Sequence, residues 1–206
     1  MIQYGPLLER LLAGEFICQI SDEDAYRRLN DEQTQQQINQ YLRPLNRRLV
    51  GSERQSVYYL GYVDLTRTAR EQLSKQFSET IQALLPLLEW LLLVQETMGN
   101  DRALSAGDTI KLQEFVLRAE DNQGLRQRLN LLANHRFFNS HSDALDNQVK
   151  LIFRRLKEYG YLVQPHAQRQ YYIVTAKIDY LIELINFIRS EEHLPVADTP
   201  TQEELL

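Results

Sequence analysis

The chain has 206 residues, 43% of them hydrophobic, and a formal net charge of −5. That length and apolar content suffice for one large or two small domains with a buried core. The acidic balance argues against a free-standing, highly basic nucleic-acid binder, because phosphate neutralisation needs concentrated Lys and Arg.

A single cysteine, Cys18, excludes an internal disulfide and a thiolate zinc cluster, and points to a reducing, intracellular setting. The opening segment, MIQYGPLLERLLAGEF, lacks the charged start and long apolar stretch of a cleavable export signal. The first informative pattern is QINQYLRPLNRRLVGSERQSVYYL, residues 37–60, where helical apolar spacing gives way to two runs of strand-forming residues. Pro44 stands inside the helical part, where it removes a backbone donor and clashes with the preceding turn, so that helix is expected to kink or stop early. Arg43, Arg47, Arg48 and Arg54 cluster around it, and Arg47 and Arg48 are candidate DNA-phosphate contacts.

The next segment, residues 67–99, is rich in strong helix formers. Its greasiest run, LLPLLEWLLLV at 84–94, is too short to cross a bilayer and contains Pro86 and Glu89. A helix apolar almost all round must be covered on every side, by an inter-domain core or by another subunit. Leu84, Leu88, Trp90 and Leu91 are the candidate interface residues. Gly99 to Asp108 reads as a loop, with Asp108 capping a helix that begins TIKLQEFVLRA.

Further helices are expected in LRQRLNLLANHRFF and SHSDALDNQVK, and then the earlier pattern returns. Val149, Ile152, Phe153 and Leu156 share one helical face extended by Tyr159, and Gly160 supplies a left-handed cap. Tyr161 to Val163 and Tyr171 to Thr175 are strand-like runs separated by QPHAQRQ. Helix, cap and hairpin form the end of a winged helix-turn-helix. Gln37, Ile38, Tyr41, Leu42, Arg43 and Leu45 align with Gln148, Val149, Ile152, Phe153, Arg154 and Leu156. Leu49 and Val50 then match Leu162 and Val163, and Tyr58 and Tyr59 match Tyr171 and Tyr172, which favours two tandem winged-helix units. Alternation along a strand sends one tyrosine of each pair into the core.

Lys150, Arg154 and Lys157 form a basic edge on the last helix of the second unit, with Arg169 in the hairpin tip placed to reach an adjacent phosphate. Asp143 and Asp146 lie near that edge and are able to pair with those cations. KIDYLIELINFI reads as one more helix, and from Arg189 to Leu206 one basic and five acidic residues make a tail of charge −4. The expected fold is therefore mainly α with small β-hairpins: an N-terminal winged-helix domain (1–66), a central hydrophobic helical segment (67–99), a C-terminal winged-helix domain (100–188) and an acidic tail (189–206).

Nothing in the chain suggests catalysis. It has no glycine-rich phosphate loop, no G-x-S-x-G elbow and no H-E-x-x-H, and His135, His141, His166 and His193 are scattered, so neither metal nor cofactor is expected.

The arrangement resembles the MksE and MukE family, the non-kleisin subunits of MukBEF-like bacterial condensins. Its clearest portions are QQQINQYLRPLNRRLVGSERQSVYYLGYVD and HRFFNSHSDALDNQVKLIFRRLKEYGYLVQPHAQRQYYIVTAKIDYL, and the compact length looks more like MksE. The resemblance implies a homodimer that binds an MksF-like kleisin, which bridges an MksB-like SMC ATPase. It also implies a weak, sequence-nonspecific DNA contact and a cytoplasmic, nucleoid-associated role in chromosome segregation, away from any membrane. The alternatives are a winged-helix transcription regulator and the equivalent subunit of a plasmid-defence SMC system.

Overall fold

The computed structural model describes residues 4–99 and 102–192. The chain begins with α1 (Gly5–Leu12), β1 (Ile17–Cys18), α2 (Glu23–Leu29), α3 (Glu32–Leu42), β2 (Arg47–Gly51) and β3 (Val57–Tyr62). Asp22 and Asp31 cap α2 and α3 by accepting the backbone N–H groups of Ala25 and Thr34. Pro44 acts as its chemistry demands: α3 ends at Leu42, a short 3-10 turn spans Arg43–Leu45, and Asn46 closes it in the left-handed region at φ 56°. Leu11, Ile17, Leu29, Ile38, Leu42 and Tyr58 make the first core.

Helix α4 (Arg67–Met98) follows, capped by the Thr66 side chain at its start and by Gly99, at φ 64°, at its end. Then come β4 (Thr109–Lys111), α5 (Leu112–Glu120), α6 (Gln123–Asn134), α7 (Leu145–Glu158), β5 (Leu162–Val163), β6 (Tyr171–Val174) and α8 (Lys177–Glu192). The second core is larger and centres on Trp90, Phe115, Phe138, Phe153 and Leu156. Arg128 of α6 ties that packing to α4 through Glu89 and Glu96. The structure is thus mainly helical with two small antiparallel sheets, as expected. The acidic tail lies, from residue 193 onward, outside the described residues.

The two sheets share an order, β1-β3-β2 and β4-β6-β5, in which a short early strand pairs with the second strand of the hairpin. Neither β1 nor β4 was expected. Asp108 does not cap a helix: its carboxylate accepts from the Ser105 N–H at 2.8 Å and pairs with Arg102, while its own carbonyl accepts from Val174 N–H. Residues 109–111 are therefore drawn into the sheet, and α5 begins only at Leu112.

The pairing also shifts the expected alignment by one residue. Leu49 lies opposite Leu60, and Leu162 opposite Val174, so Tyr58 occupies the place of Tyr172 rather than Tyr171. Both tyrosines are buried, and each faces a buried isoleucine, Ile17 or Ile110, on the short strand. A one-residue slip would turn each outward.

The middle helix is not apolar all round in its packing. Leu87, Trp90, Leu93 and Val94 are fully buried in the second core, whereas Leu73, Phe77, Ile81, Leu85 and Leu92 are exposed. Among the described residues α4 is the one helix long and apolar enough to cross a membrane by length and composition, with mean hydropathy 1.4 over its best 18 residues.

A third, smaller cluster joins the two halves. Cys18, Val57 and Ala176 are buried there, with Phe16, Ile20, Ala106 and Tyr180 around them. The rings of Phe16, Tyr59 and Tyr180 meet at centroid distances of 4.9 to 5.2 Å. The Lys177 ammonium lies 4.6 Å from the Phe16 ring and 4.9 Å from Tyr161, and donates to the Tyr159 carbonyl at 2.7 Å.

Candidate nucleic-acid interface

Helix α7 exists because one of its faces has a core to cover. Val149, Ile152, Phe153 and Leu156 are buried, and Phe153 packs edge-on against both Phe115 and Tyr172. Buried Gln148 fixes the entry by donating to the Ser142 carbonyl at 2.7 Å. With that face committed, Asn147, Lys150, Arg154 and Lys157, spaced three or four residues apart, line up on the outer side. Together with Leu151, Gln164 and Tyr172 they line a shallow groove of about 460 Å³ between the helix and the hairpin.

The cations in this groove have partners. Lys150 Nζ sits 2.6 Å from Asp146 Oδ2, and Arg154 Nε lies 3.8 Å from Glu158 Oε1. Lys157 has no ion pair among the described residues and donates instead to Gln164 Oε1 at 3.2 Å. Gln164 in turn donates to the backbone carbonyl of Arg169 at 3.1 Å, so a chain of hydrogen bonds connects the helix to the hairpin tip. Exposed i, i+4 pairs of this kind contribute only about 0.3–0.5 kcal/mol each, so an incoming phosphate displaces them at small cost. The arrangement suits contact with polyanion oxygens and offers nothing for bond making or breaking.

The other expected contacts fall elsewhere. Arg47 and Arg48 are neighbours in β2 and so point to opposite faces of the sheet. The Arg47 guanidinium is stacked 3.6 Å above the Tyr62 ring and reaches Gln72, while Arg48 is exposed beside Gly61. Lys150, Arg154 and Lys157 are thus brought together, Arg169 adjoins them through Gln164, and Arg47 and Arg48 belong to no common patch. Sequence reasoning missed Asn147 and Gln164. Asn147 was legible, being three residues before Lys150 on the same stripe, whereas Gln164 enters the groove only because the hairpin folds back.

Of the expected interface residues, Trp90 is fully buried in the second core of the chain. Leu84 and Leu91 pack partly against that core, and Leu88 is half-buried. Neither Tyr59 nor Tyr172 is open for base stacking, since the first is held in the aromatic cluster between the halves and the second in the core. Among the described residues no group of three His, Cys, Asp or Glu side chains is placed to hold a metal ion.

A protein-family model described as condensin complex protein MksE matches residues 3–185 of the chain. No curated protein matches it.

Proposed function

Since the chain belongs to the MksE family of condensin complex proteins, we propose that it is a non-catalytic subunit of an SMC-like condensin in the cytoplasm, at the nucleoid. On this reading it acts as a homodimer of tandem winged-helix chains and binds an MksF-like kleisin, through which it joins an MksB-like ATPase. It also lends the assembly a weak, sequence-nonspecific DNA contact, in the service of chromosome organisation and segregation.

The observation that carries the DNA contact is the groove beside α7, where three cations and two neutral amides share one face. Phosphate oxygens need no more than that, and three such contacts give a salt slope of about −3 in log K against log salt, the mark of a weak polyelectrolyte interaction. Sequence reading makes further demands. It needs side chains at the start of the helix free to reach base edges, and there Asp146 is bound to Lys150. Support for the kleisin and ATPase partners comes from the family alone.

The test is co-expression with the SMC-like and kleisin-like neighbours, then size-exclusion light scattering and DNA binding across a salt series. The wild type is compared with a triple variant carrying Lys150→Glu, Arg154→Glu and Lys157→Glu. A complex with two copies of this chain, and DNA binding weakened by the reversals, is expected. Tight binding of the isolated chain to one defined DNA sequence, with no complex, would sink the proposal in favour of a transcription regulator.

A further inference from the structure

Beyond Ala69, which is buried, the first half of α4 lies open: ten consecutive residues, Arg70 to Glu79, are all exposed. A helical stretch of that length is marginal in water on its own, and its stability ordinarily comes from packing an apolar face. The face is present. Leu73, Phe77, Ile81 and Leu85 recur every four residues, and Leu88 and Leu92 continue the row. At about 100° per residue this stripe runs nearly opposite the side occupied by Leu87, Trp90, Leu93 and Val94, so the second core does not reach it.

We propose that this stripe is where two copies of the chain meet, α4 against α4 in antiparallel fashion, with Ile81 at the two-fold axis. This rests on the homodimer reading above and adds the surface and the register. An isologous contact must be its own complement, and the spacing about Ile81 meets that demand. Phe77 and Leu85 lie four residues to either side, so each falls level with the other in the partner helix, and Leu73, eight residues before the axis, falls within one residue of Leu88, seven after it. Further out, Arg67 and Glu96, paired within the chain to Glu71 and Arg128, lie on the same edge of the stripe at nearly equal distances from Ile81, so each copy's basic end lies near the other's acidic one.

The area is of the right size. The exposed fractions of Leu73 (37%), Phe77 (41%), Ile81 (44%), Leu85 (75%) and Leu92 (55%) leave on the order of 500 Å² of apolar surface, at roughly 200 Å² per free side chain. A standard interface covers about 800 Å² per partner with somewhat over half of it apolar, so the stripe and its polar rim fill one. A lipid surface fits less well, because Glu71, Lys75 and Glu79 charge the remaining circumference of the same turns.

The experiment is sedimentation equilibrium and light scattering on the full chain, wild type against Ile81→Glu, with oxidative cross-linking of Ile81→Cys. Cys18 is buried and does not compete for the cross-link. Expected are a wild-type dimer, a dissociation constant raised at least about 100-fold by two glutamates facing each other at the axis, and a cross-link between the two copies of position 81. The Cys variant keeps the test informative if the Glu variant folds poorly. A wild-type dimer that persists unchanged in Ile81→Glu, with no cross-link, overturns this surface and leaves the homodimer reading standing. A wild-type monomer at tens of micromolar overturns both. Flotation with phosphatidylglycerol vesicles that is lost in Ile81→Glu would assign the stripe to a membrane and overturn the proposal.

Discussion

In the first half of the chain the helix before the hairpin stops at Leu42, and its basic neighbours scatter over two faces of a small sheet. In the second half the matching helix runs on to Glu158 and gathers its cations on one side. The apolar pattern behind both is nearly the same, yet Tyr41 and Leu45 are exposed where Ile152 and Leu156 are buried. Pro44 accounts for the early stop and for the outward Leu45, which falls in the 3-10 turn, whereas Tyr41 is exposed on the regular part of α3. Lining up three cations at i, i+4 and i+7 takes about two uninterrupted turns, and Pro44 ends the helix just where Arg43, Arg47 and Arg48 begin.

The largest expected effect tests how unequal the two cores are. Phe153→Ala removes a fully buried ring from between Phe115 and Tyr172 and should cost about 3–5 kcal/mol in denaturant unfolding, while Leu42→Ala in the smaller core should cost about 2–4. If the halves unfold independently, each substitution moves only one of two transitions. Coincident shifts would show the seam coupling them.

The seam itself can be titrated. Burial lowers the Lys177 pKa from 10.5 to about 8, so between pH 8 and 10 the unfolded chain holds a proton that the folded chain has lost. Stability should therefore rise with pH in that window, by about 2 kcal/mol, and stay flat with respect to this group below it. Burial raises the pKa values of Tyr59, Tyr161 and Tyr180, so above pH 10 their ionisation in the unfolded chain reverses the slope. Lys177→Met should flatten the rise in thermal melts taken across the window, and a rise that survives the substitution would assign it to another group.

The groove is the next contrast. Reversing Lys150, Arg154 and Lys157 should lower the salt slope of DNA binding by about 3, with little change in melting temperature. The smallest effect is expected from Arg48→Glu, less than about twofold in affinity, because that side chain lies outside the groove beside α7. An Arg48 effect as large as that of the triple reversal would move the DNA contact to the first half of the chain.

Much of this was legible in the residues. Gly160 takes the left-handed conformation after α7, at φ 78°, as the end of the apolar row demanded, and the alternation implied one inward tyrosine in each pair, which the structure shows to be Tyr58 and Tyr172. The short strands were not legible, since two or three residues carry no periodicity. With β1 and β4 unseen, the hairpin alignment slipped by one and Asp108 was taken for a cap.

By itself the sequence determined what depends on near neighbours: helix periods, the stop at Pro44, the left-handed glycine, the cations three and four residues apart on one helix. Tertiary structure alone decided what depends on distant partners. It divided the apolar residues of α4 between a core side and an open side, because only packing against α5 and α6 distinguishes Trp90 from Leu85. It also folded the hairpin back so that Gln164 meets Lys157, and it set Lys177 between Phe16 and Tyr161, a contact that arises when segments far apart in the chain compete to exclude water from the same surface.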